Sequence, residues 1–314
     1  MLRYTIDKLL TAFPLLVLVA LGTFGLVFLM PGDAAVTIAG EGASAAQIQT
    51  VRQDLGLDQP VLVQFWDWFQ GVLVGDFGTS YSYNASVSYL ITQRIEVTVS
   101  LVVVGLLFAS VAGTVIGLFA GLNPGGPFDR VTTLLVTLGL AAPTYWIAIV
   151  FIIVFSLQLG WFDATGYVSI TESPGGWLHS ILLPAAAVSV TSIADVSRQV
   201  RATASGVKDL DFVRTGRALG IPRSGILVRH IGRNSGVATI TIIGLQVERL
   251  IGAAVVIEML FAMPGFGTLL VNAVLNQDLP VIQISVLLIA SVVILTNLAV
   301  DISYGLINPK IRTG

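Results

Sequence analysis

The most densely charged stretch of this 314-residue chain runs from Arg198 to Arg233. Only 11% of all residues are charged, yet this segment, the basic island, holds eight of the sixteen lysine and arginine residues. Such a cluster cannot lie in hydrocarbon, so it predicts either a lipid-headgroup contact or a docking helix for a cytosolic partner. The eight cations are Arg198, Arg201, Lys208, Arg214, Arg217, Arg223, Arg229 and Arg233.

Three more ionisable residues, Glu248, Arg249 and Glu258, interrupt the apolar stretch that follows the island. Charges at membrane depth are costly and usually face a partner or a water-filled path. Neighbouring helix positions point about 100° apart, so Glu248 and Arg249 should not satisfy each other. We therefore hypothesise that Glu248 or Arg249 lines a substrate path; the alternative is an ion pair with another subunit. Glu258 is a third candidate for the substrate path, where it could polarise an outer gate or hydrogen-bond the turn at 264–267.

Enzymatic chemistry finds no support in the sequence. The chain has no cysteine, and it has neither a His-Glu-x-x-His nor a Gly-x-Ser-x-Gly motif. No Gly-Lys dipeptide occurs, so a Walker-type phosphate loop is absent and energy must come from elsewhere. His179 and His230 are isolated, which argues against a metal site, and a net charge of −2 argues against nucleic acid as a partner.

The elements that must position these residues are apolar helices. Hydrophobic residues make up 55% of the chain, and several uncharged runs reach the roughly 20 residues that a membrane-spanning helix needs. The first run is longer than the roughly 7–15 residues of a signal-peptide core, so it predicts an uncleaved span. Pro143 should bend the third span. The six predicted spans are 9–30, 97–120, 131–157, 177–196, 235–261 and 281–307.

The distribution of positive charge sets the predicted orientation. Thirteen of the sixteen lysine and arginine residues lie at the two termini, in the loop 122–130 or in the basic island. The alternate loops carry only Arg52 and Arg94. The positive-inside rule then places both termini and the island in the cytoplasm, and the segment 31–95 outside. That outer segment predicts two helices, 44–55 and 60–73; the two tryptophans of the second either lie at the membrane interface or pack the segment's own core.

Within the island, the spacing of Leu210, Val213, Arg214 and Arg217 predicts a short helix over 206–220. Gly220 should end it, and Pro222 should prevent its continuation. On physical grounds, a helix on anionic lipid and a docking helix are equally good interpretations.

A resemblance decides between them. The segment Asp211-Phe-Val-Arg-Thr-Gly-Arg-Ala-Leu-Gly220, followed by Arg229-His230 and Arg233-Asn234, is similar to the signature loop of permease subunits in binding-protein-dependent ABC importers. The branch that imports dipeptides, oligopeptides and nickel complexes resembles it most. Gly216 replaces a usual alanine and should weaken the helix by up to about 1 kcal/mol, and Leu219 stands where lysine is frequent.

The resemblance extends along the whole chain in the expected order. A single short motif would be weak, but five together make chance similarity implausible. The further motifs are Pro31-Gly-Asp33, Leu55-Gly-Leu-Asp-Gln-Pro60, Gly75-Asp-Phe-Gly-Thr-Ser80, Phe261-Ala-Met-Pro-Gly-Phe-Gly267 and Asn308-Pro-Lys-Ile-Arg312.

The family implies an all-α polytopic membrane protein with six transmembrane helices, the type I ABC importer permease fold and both termini cytoplasmic. Residues 1–94 would form the first helix and an extracytoplasmic segment. Residues 95–314 would form a five-helix core with a cytoplasmic coupling loop at 198–233. The residues implied in ATPase coupling are Asp211, Arg214, Thr215, Gly216, Arg217, Ala218 and Gly220.

The family also implies the partners and the function. These are a second homologous permease, two cytosolic ABC ATPase subunits or domains that bind ATP and Mg, an extracytoplasmic substrate-binding protein and the lipids of the bacterial inner membrane. The chain itself would bind no cofactor and hydrolyse no ATP. Peptide is the expected substrate, with nickel chelates or glutathione-like solutes as alternatives, and an ion-coupled secondary transporter as the rival class.

Overall fold

The computed structural model describes residues 2–29, 34–40, 42–54, 56–208, 210, 215, 218–219 and 233–307. In these residues the regular structure is helical, and the only extended pairing is an isolated bridge between Thr79 and Ser86. The helices are α1 (Leu2–Leu29), α2 (Ala34–Ala39), α3 (Ala45–Asp54), α4 (Val61–Val74), α5 (Val87–Leu122), α6 (Pro127–Ala141), α7 (Thr144–Phe151, continued by the π-helix Ile152–Gln158), α8 (Pro174–Lys208), α9 (Arg233–Leu260), α10 (Phe266–Leu275) and α11 (Leu279–Ile307).

Among the described residues, three helices are long and apolar enough to cross a membrane: Val87–Leu122, Pro174–Gly206 and Leu279–Ser303. A fourth crossing is formed if the bent pair Pro127–Ala141 and Thr144–Gln158 counts as one span. The molecule is therefore an all-helical polytopic membrane protein over the part that is described.

The bend predicted at Pro143 is a complete break. The two helices on either side of it meet at 107°. Ala142 takes an extended conformation, and its N–H donates to Leu138 O at 2.9 Å, which closes α6. Proline disfavours a helical residue before it, so α6 must end there and α7 begins after Pro143.

Three helices extend well beyond their predicted spans, and the first of them, α1, begins at Leu2 rather than at 9. Helix α5 begins at Val87 rather than at 97, and α8 continues to Lys208 rather than ending at 196. The residues predicted to begin the island's own helix, 206–208, therefore complete α8. No proline lies between 185 and 221 to interrupt α8, and polar residues after Arg198 can extend beyond the hydrocarbon.

The core of the bundle is the contact between α5 and α8. A stripe of small residues on α5, at every fourth position, faces α8: Gly105, Ala109, Gly113, Gly117 and Gly121. A Cβ atom added at Gly121 would lie 2.7 Å from the carbonyl oxygen of Arg201, and one at Gly113 would lie 2.8 Å from Val196. The two backbones therefore approach closely, as small-residue stripes allow in membranes.

The outer segment contains the two predicted helices, α3 and α4. Ser44 caps α3, since its hydroxyl accepts from the Gln47 N–H at 3.3 Å. On α4, Phe65 and Trp68 pack against Phe24 of α1, with ring centroids 5.4 and 5.8 Å away. Trp66, by contrast, is exposed. Each tryptophan thus fits one of the two alternatives. Trp68 packs against α1, and the exposed Trp66 can lie at the interface between membrane and water.

Candidate functional site

The first polar cluster lies where α8 meets α9. Asp195 is buried in α8, and its carboxylate accepts from Arg249 at 2.6 Å and from Gln246 at 3.1 Å, both on α9. It also accepts from Arg198 at 2.7 Å, one turn further along α8. One negative charge is thus shared by two arginines, which leaves the cluster with a net positive charge. Both arginine side chains remain more than half exposed, 60% for Arg198 and 59% for Arg249.

This cluster places two of the three predicted path residues. Arg249 is held from within the chain by Asp195, a partner that the sequence analysis did not identify. Glu248 is exposed on α9, and no residue in the described part of the chain pairs with its carboxylate. The two side chains do not satisfy each other, as their helical positions predict. Glu248 therefore presents a charge that no described residue compensates, on a face of α9 that the described part of the chain leaves exposed.

A second ion pair joins α8 to the start of α6. Asp129 is buried in the first turn of α6 and accepts two hydrogen bonds from Arg201, from Nε and, at 2.8 Å, from Nη2. The Gly125 N–H of the preceding turn donates to the same carboxylate at 2.7 Å. The fork of the guanidinium fixes both distance and angle, so this end of α6 is held to α8.

The third predicted path residue, Glu258, lies in a buried hydrogen-bond network at the other end of α9. Its side chain is fully buried. It accepts from the Thr98 hydroxyl of α5 and, at 2.9 Å, from the backbone N–H of Thr268. The Thr98 oxygen in turn accepts from the Phe266 N–H at 2.9 Å. Phe266 and Thr268 lie in the first turn of α10, whose backbone donors lack partners within the helix.

The N-cap residue of α10, Gly265, has no side chain that could cap the helix. The carboxylate of Glu258, on the preceding helix, takes this role by accepting from the Thr268 N–H. This contact also explains the two glycines of the motif at 261–267. A Cβ at Gly265 would collide with the Glu258 carboxylate, and one at Gly267 would lie 2.9 Å from its Oε2 atom. The sequence predicted a hydrogen bond from Glu258 to the turn at 264–267; the carboxylate bonds to the N–H of Thr268, the residue that follows this turn.

A buried carboxylate also holds the loop before α5 in place. Asp278, between α10 and α11, accepts from the Ser80 hydroxyl and from the N–H groups of Tyr81 and Ser82, at 2.5, 3.2 and 3.1 Å. Burial and the nearby Asp278 charge raise the pKa of the Tyr81 phenol to about 12, so it stays neutral at physiological pH. The motif at 75–80 leads directly into this contact.

A similar contact holds the loop between α7 and α8. Glu96 of α5 accepts from the hydroxyls of Tyr167 and Ser169 at 3.0 and 2.8 Å, and from the Ile170 N–H at 3.0 Å. The loops at this end of the bundle are therefore anchored by carboxylates of three elements, Glu96, Glu258 and Asp278. These hydrogen bonds fix the positions of the loops at this end of the bundle relative to the helices.

Comparison with known proteins identifies the family. The profile described as binding-protein-dependent transport system inner membrane component matches residues 113–313, and the N-terminal profile of the same kind of membrane component matches residues 1–102. A Brucella abortus protein named as a peptide transport system permease is 39% identical over 301 residues, 96% of each chain. A Sinorhizobium fredii protein named as a peptide ABC transporter permease is 35% identical over 309 residues, 98% of this chain and 99% of that one. The glutathione transport system permease protein GsiC of Salmonella typhimurium is 38% identical over 312 residues, 99% of each.

The chain belongs to the binding-protein-dependent transport permeases. It is thus the inner-membrane, multi-pass component of a bacterial ABC importer. The family component is the permease and not the ATPase, which agrees with the missing phosphate loop. Membership also implies a substrate-binding protein and an ATPase as partners.

The residues predicted to couple this permease to an ATPase fall mostly outside the described residues. Asp211, Arg214, Gly216, Arg217 and Gly220 are among those not described. Thr215 and Ala218 are helical and exposed, and the Leu219 N–H donates to Thr215 O at 2.9 Å, as a helical turn requires. The predicted coupling role remains a prediction.

Sequence reasoning missed the acids that hold the permease together. Asp195, Asp129 and Asp278 are not among the residues that the sequence motifs single out. All three acids are buried. Their burial marks them as structurally important, and burial is known only once the fold is known. One sequence signal was available for Asp129: an acid in the first turn of a helix that begins with Pro127 suits the helix dipole. No group of three potential metal ligands occurs among the described residues.

Proposed function

We propose that this permease is one half of the membrane pathway of an ATP-driven importer that moves di- and oligopeptides into the cytoplasm. The observation that carries the substrate class is similarity over nearly the whole chain to proteins named as peptide permeases, at 39% and 35% identity. Glutathione is a second candidate, because the Salmonella typhimurium relative named for glutathione is 38% identical over 99% of this chain. Glutathione is itself a modified tripeptide, so the two candidates share charged termini and amide groups.

Uptake measurements in a strain that lacks the gene test this proposal. We expect loss of labelled di-, tri- and pentapeptide uptake, and recovery when the gene is returned on a plasmid. Loss of glutathione uptake alone would favour the second candidate. Loss of nickel uptake alone, with peptides unaffected, would contradict both.

The proposed topology has six spans, with both termini in the cytoplasm, in the type I importer arrangement. It is supported by the charge distribution and by six helical units of suitable order: α1, α5, the pair α6 and α7, α8, α9 and α11. The segment 31–95 and the carboxylate-anchored loops then lie on the extracytoplasmic side. That surface is where a binding protein would deliver substrate.

We also propose a second homologous permease and two ATPase subunits as partners, with ATP and Mg held by the ATPases. Helix α8 supports this proposal, because it leads without interruption from the bundle core to Lys208 and so into the basic island. A movement of the island would reach α9 through Asp195 and α6 through Arg201.

The docking role of the island makes a direct prediction. Replacing Arg214 by glutamate should abolish co-purification of the ATPases with the permease, because a reversed charge faces the same partner surface. Arg223→Glu, in the same island but outside the signature segment, is the matched control and should retain the ATPases. Equal retention by both variants would show that the signature segment does not dock them.

We propose that Glu248, rather than Arg249, is the charge that meets substrate. Glu248 is exposed and lacks a described partner, whereas Arg249 is bonded to Asp195. Glu248→Gln should lower uptake of lysine-containing peptides about tenfold relative to neutral peptides, roughly the effect of one charge-assisted hydrogen bond.

The matched control for Glu248 is Glu172→Gln, which removes an exposed acid from an outer loop and should leave the uptake ratio unchanged. Arg249→Gln tests the other charge of the pair with the same peptides. Unchanged uptake of cationic, anionic and neutral peptides in both path variants would exclude a substrate contact. An ion pair with the second permease would then be the better interpretation of Glu248.

A further inference from the structure

A cavity of about 400 Å³ lies between α6 and α8 and is not used by the proposed transport mechanism. Two arginines of α8, Arg198 and Arg201, contribute to its wall. The remaining lining residues are Thr132, Thr133, Val136, Thr137, Leu140, Ala141 and Ser197. We call this space the α6–α8 cavity.

The cavity has a polar end and an apolar end. Helices α6 and α8 run antiparallel along it, since Asp129 pairs with Arg201 while Gly139 lies against Val190 and Ala194. Both arginines, the first two cations of the basic island, are therefore at the same end of the cavity, opposite the break at Pro143. The opposite end, towards the break at Pro143, is lined by Leu140 and Ala141.

The polar end retains hydrogen-bonding capacity for an anion. Each guanidinium has five N–H donors, of which Arg201 uses two on Asp129 and Arg198 uses one on Asp195. Since Arg198 shares Asp195 with Arg249, its positive charge is only partly neutralised. Ser197 is 1% exposed, and its hydroxyl lacks a hydrogen-bond partner in the described structure. An unpaired buried hydroxyl is costly and favours a ligand oxygen.

We propose that the α6–α8 cavity binds an anionic phospholipid, with its phosphate between Arg198 and Arg201. The planar guanidinium groups match the geometry of a phosphate. Along the cavity the lining changes from arginines to hydroxyl side chains to apolar side chains, in the order of phosphate, glycerol and acyl chain in a phospholipid. Exposed leucines beside the cavity on α6, Leu134 and Leu138, offer a surface for an acyl chain. In the proposed topology the polar end faces the cytoplasmic leaflet, where basic pockets between helices bind such headgroups.

The test measures lipid retained by the complete transporter, purified with its partner subunits from native membranes. Phosphatidylglycerol and cardiolipin per complex are quantified by extraction and mass spectrometry. Arg198→Gln and Thr133→Trp should each lower the retained anionic lipid about tenfold, the first by removing a charge-assisted bond and the second by filling the cavity. Arg130→Gln is the matched control. It removes an exposed cation of α6 that does not line the cavity, so this variant should retain lipid at the wild-type level.

Thr133→Trp is the deciding variant, because Thr133 takes part in neither ion pair and its replacement leaves Asp129 and Asp195 bonded. Wild-type lipid retention in Thr133→Trp would overturn the proposal. So would binding of labelled glycerol 3-phosphate that is lost in Thr133→Trp while the anionic lipid content of the complex stays unchanged, because the cavity would then hold a soluble phosphate and no lipid. Anionic phospholipid that stays bound in excess glycerol 3-phosphate, and that is lost in both cavity variants, supports a lipid site.

Discussion

Valine in place of Gly117 is expected to prevent stable packing of α5 on α8. A Cβ at this position would collide with the Ser197 carbonyl and would lie 2.9 Å from Val200 Cβ. The obstruction is mainly backbone, so no side-chain rotation can relieve it and the two helices must separate. Overpacking of a core usually costs about 1–3 kcal/mol, and we expect about 3 kcal/mol or more here. The permease should accumulate poorly, with a sharply lower midpoint in a detergent-solubilised melting measurement.

Gly252→Val is the matched control for this experiment. Gly252 is also a helical glycine, on α9, but no atom lies within 4 Å of a Cβ added there. The same change of residue should therefore leave the melting midpoint nearly unchanged. Similar midpoints for the two variants would show that the α5 stripe does not determine the stability of the bundle.

The α5 stripe illustrates how far the sequence could go. Small residues along α5, such as Gly105, Gly113 and Gly117, are a sequence signal for close helix packing, and the structure shows that packing. The sequence could not identify α8 as the partner, because a stripe of small residues fits any helix with a complementary ridge. Likewise, Pro143 predicted a bend but not its angle of 107°, since proline removes a hydrogen bond without setting a new direction.

The polar clusters show a different limit. For Arg249 the sequence predicted a substrate contact or an ion pair with another subunit, yet it bonds to Asp195 of the same chain, more than fifty residues away in sequence. Periodicity places residues on a helix face, but it does not show which face of another helix is opposite. The partner of Glu258 was easier to predict, because the nearby motif with Gly265 and Gly267 indicated a tight turn within reach of its side chain. Contacts that span a few residues can thus be predicted, whereas contacts between distant spans need the fold.

Leucine in place of Glu258 is expected to be the most disruptive change at the outer end of the permease. It would remove the acceptor of the Thr268 N–H and of the Thr98 hydroxyl in a site without solvent access. Each buried donor left without a partner costs about 1–3 kcal/mol. The start of α10 would lose its only described cap, so the loop 261–266 and α10 should become sensitive to protease and the melting midpoint should fall.

Glu258→Gln separates capping from charge. Glutamine keeps the shape, and its carbonyl can accept from Thr268 while its amide donates to the Thr98 oxygen. We therefore expect a loss of about 1 kcal/mol, well below that of Glu258→Leu. Glu248→Leu controls for removing an acid from α9, because Glu248 is exposed and has no partner among the described residues, and it should barely change the midpoint.

The order of the three melting midpoints distinguishes the possible roles of Glu258. If capping dominates, Glu258→Gln stays close to wild type and Glu258→Leu lies far below Glu248→Leu. If both Glu258 variants are equally unstable, the negative charge itself is required, and the capping explanation fails. If both are stable but uptake is lost, Glu258 acts on substrate passage, and the outer turn does not depend on its carboxylate. Only the first order agrees with the close approach of Gly265 and Gly267, since those glycines leave room for a carboxyl or amide group of this shape.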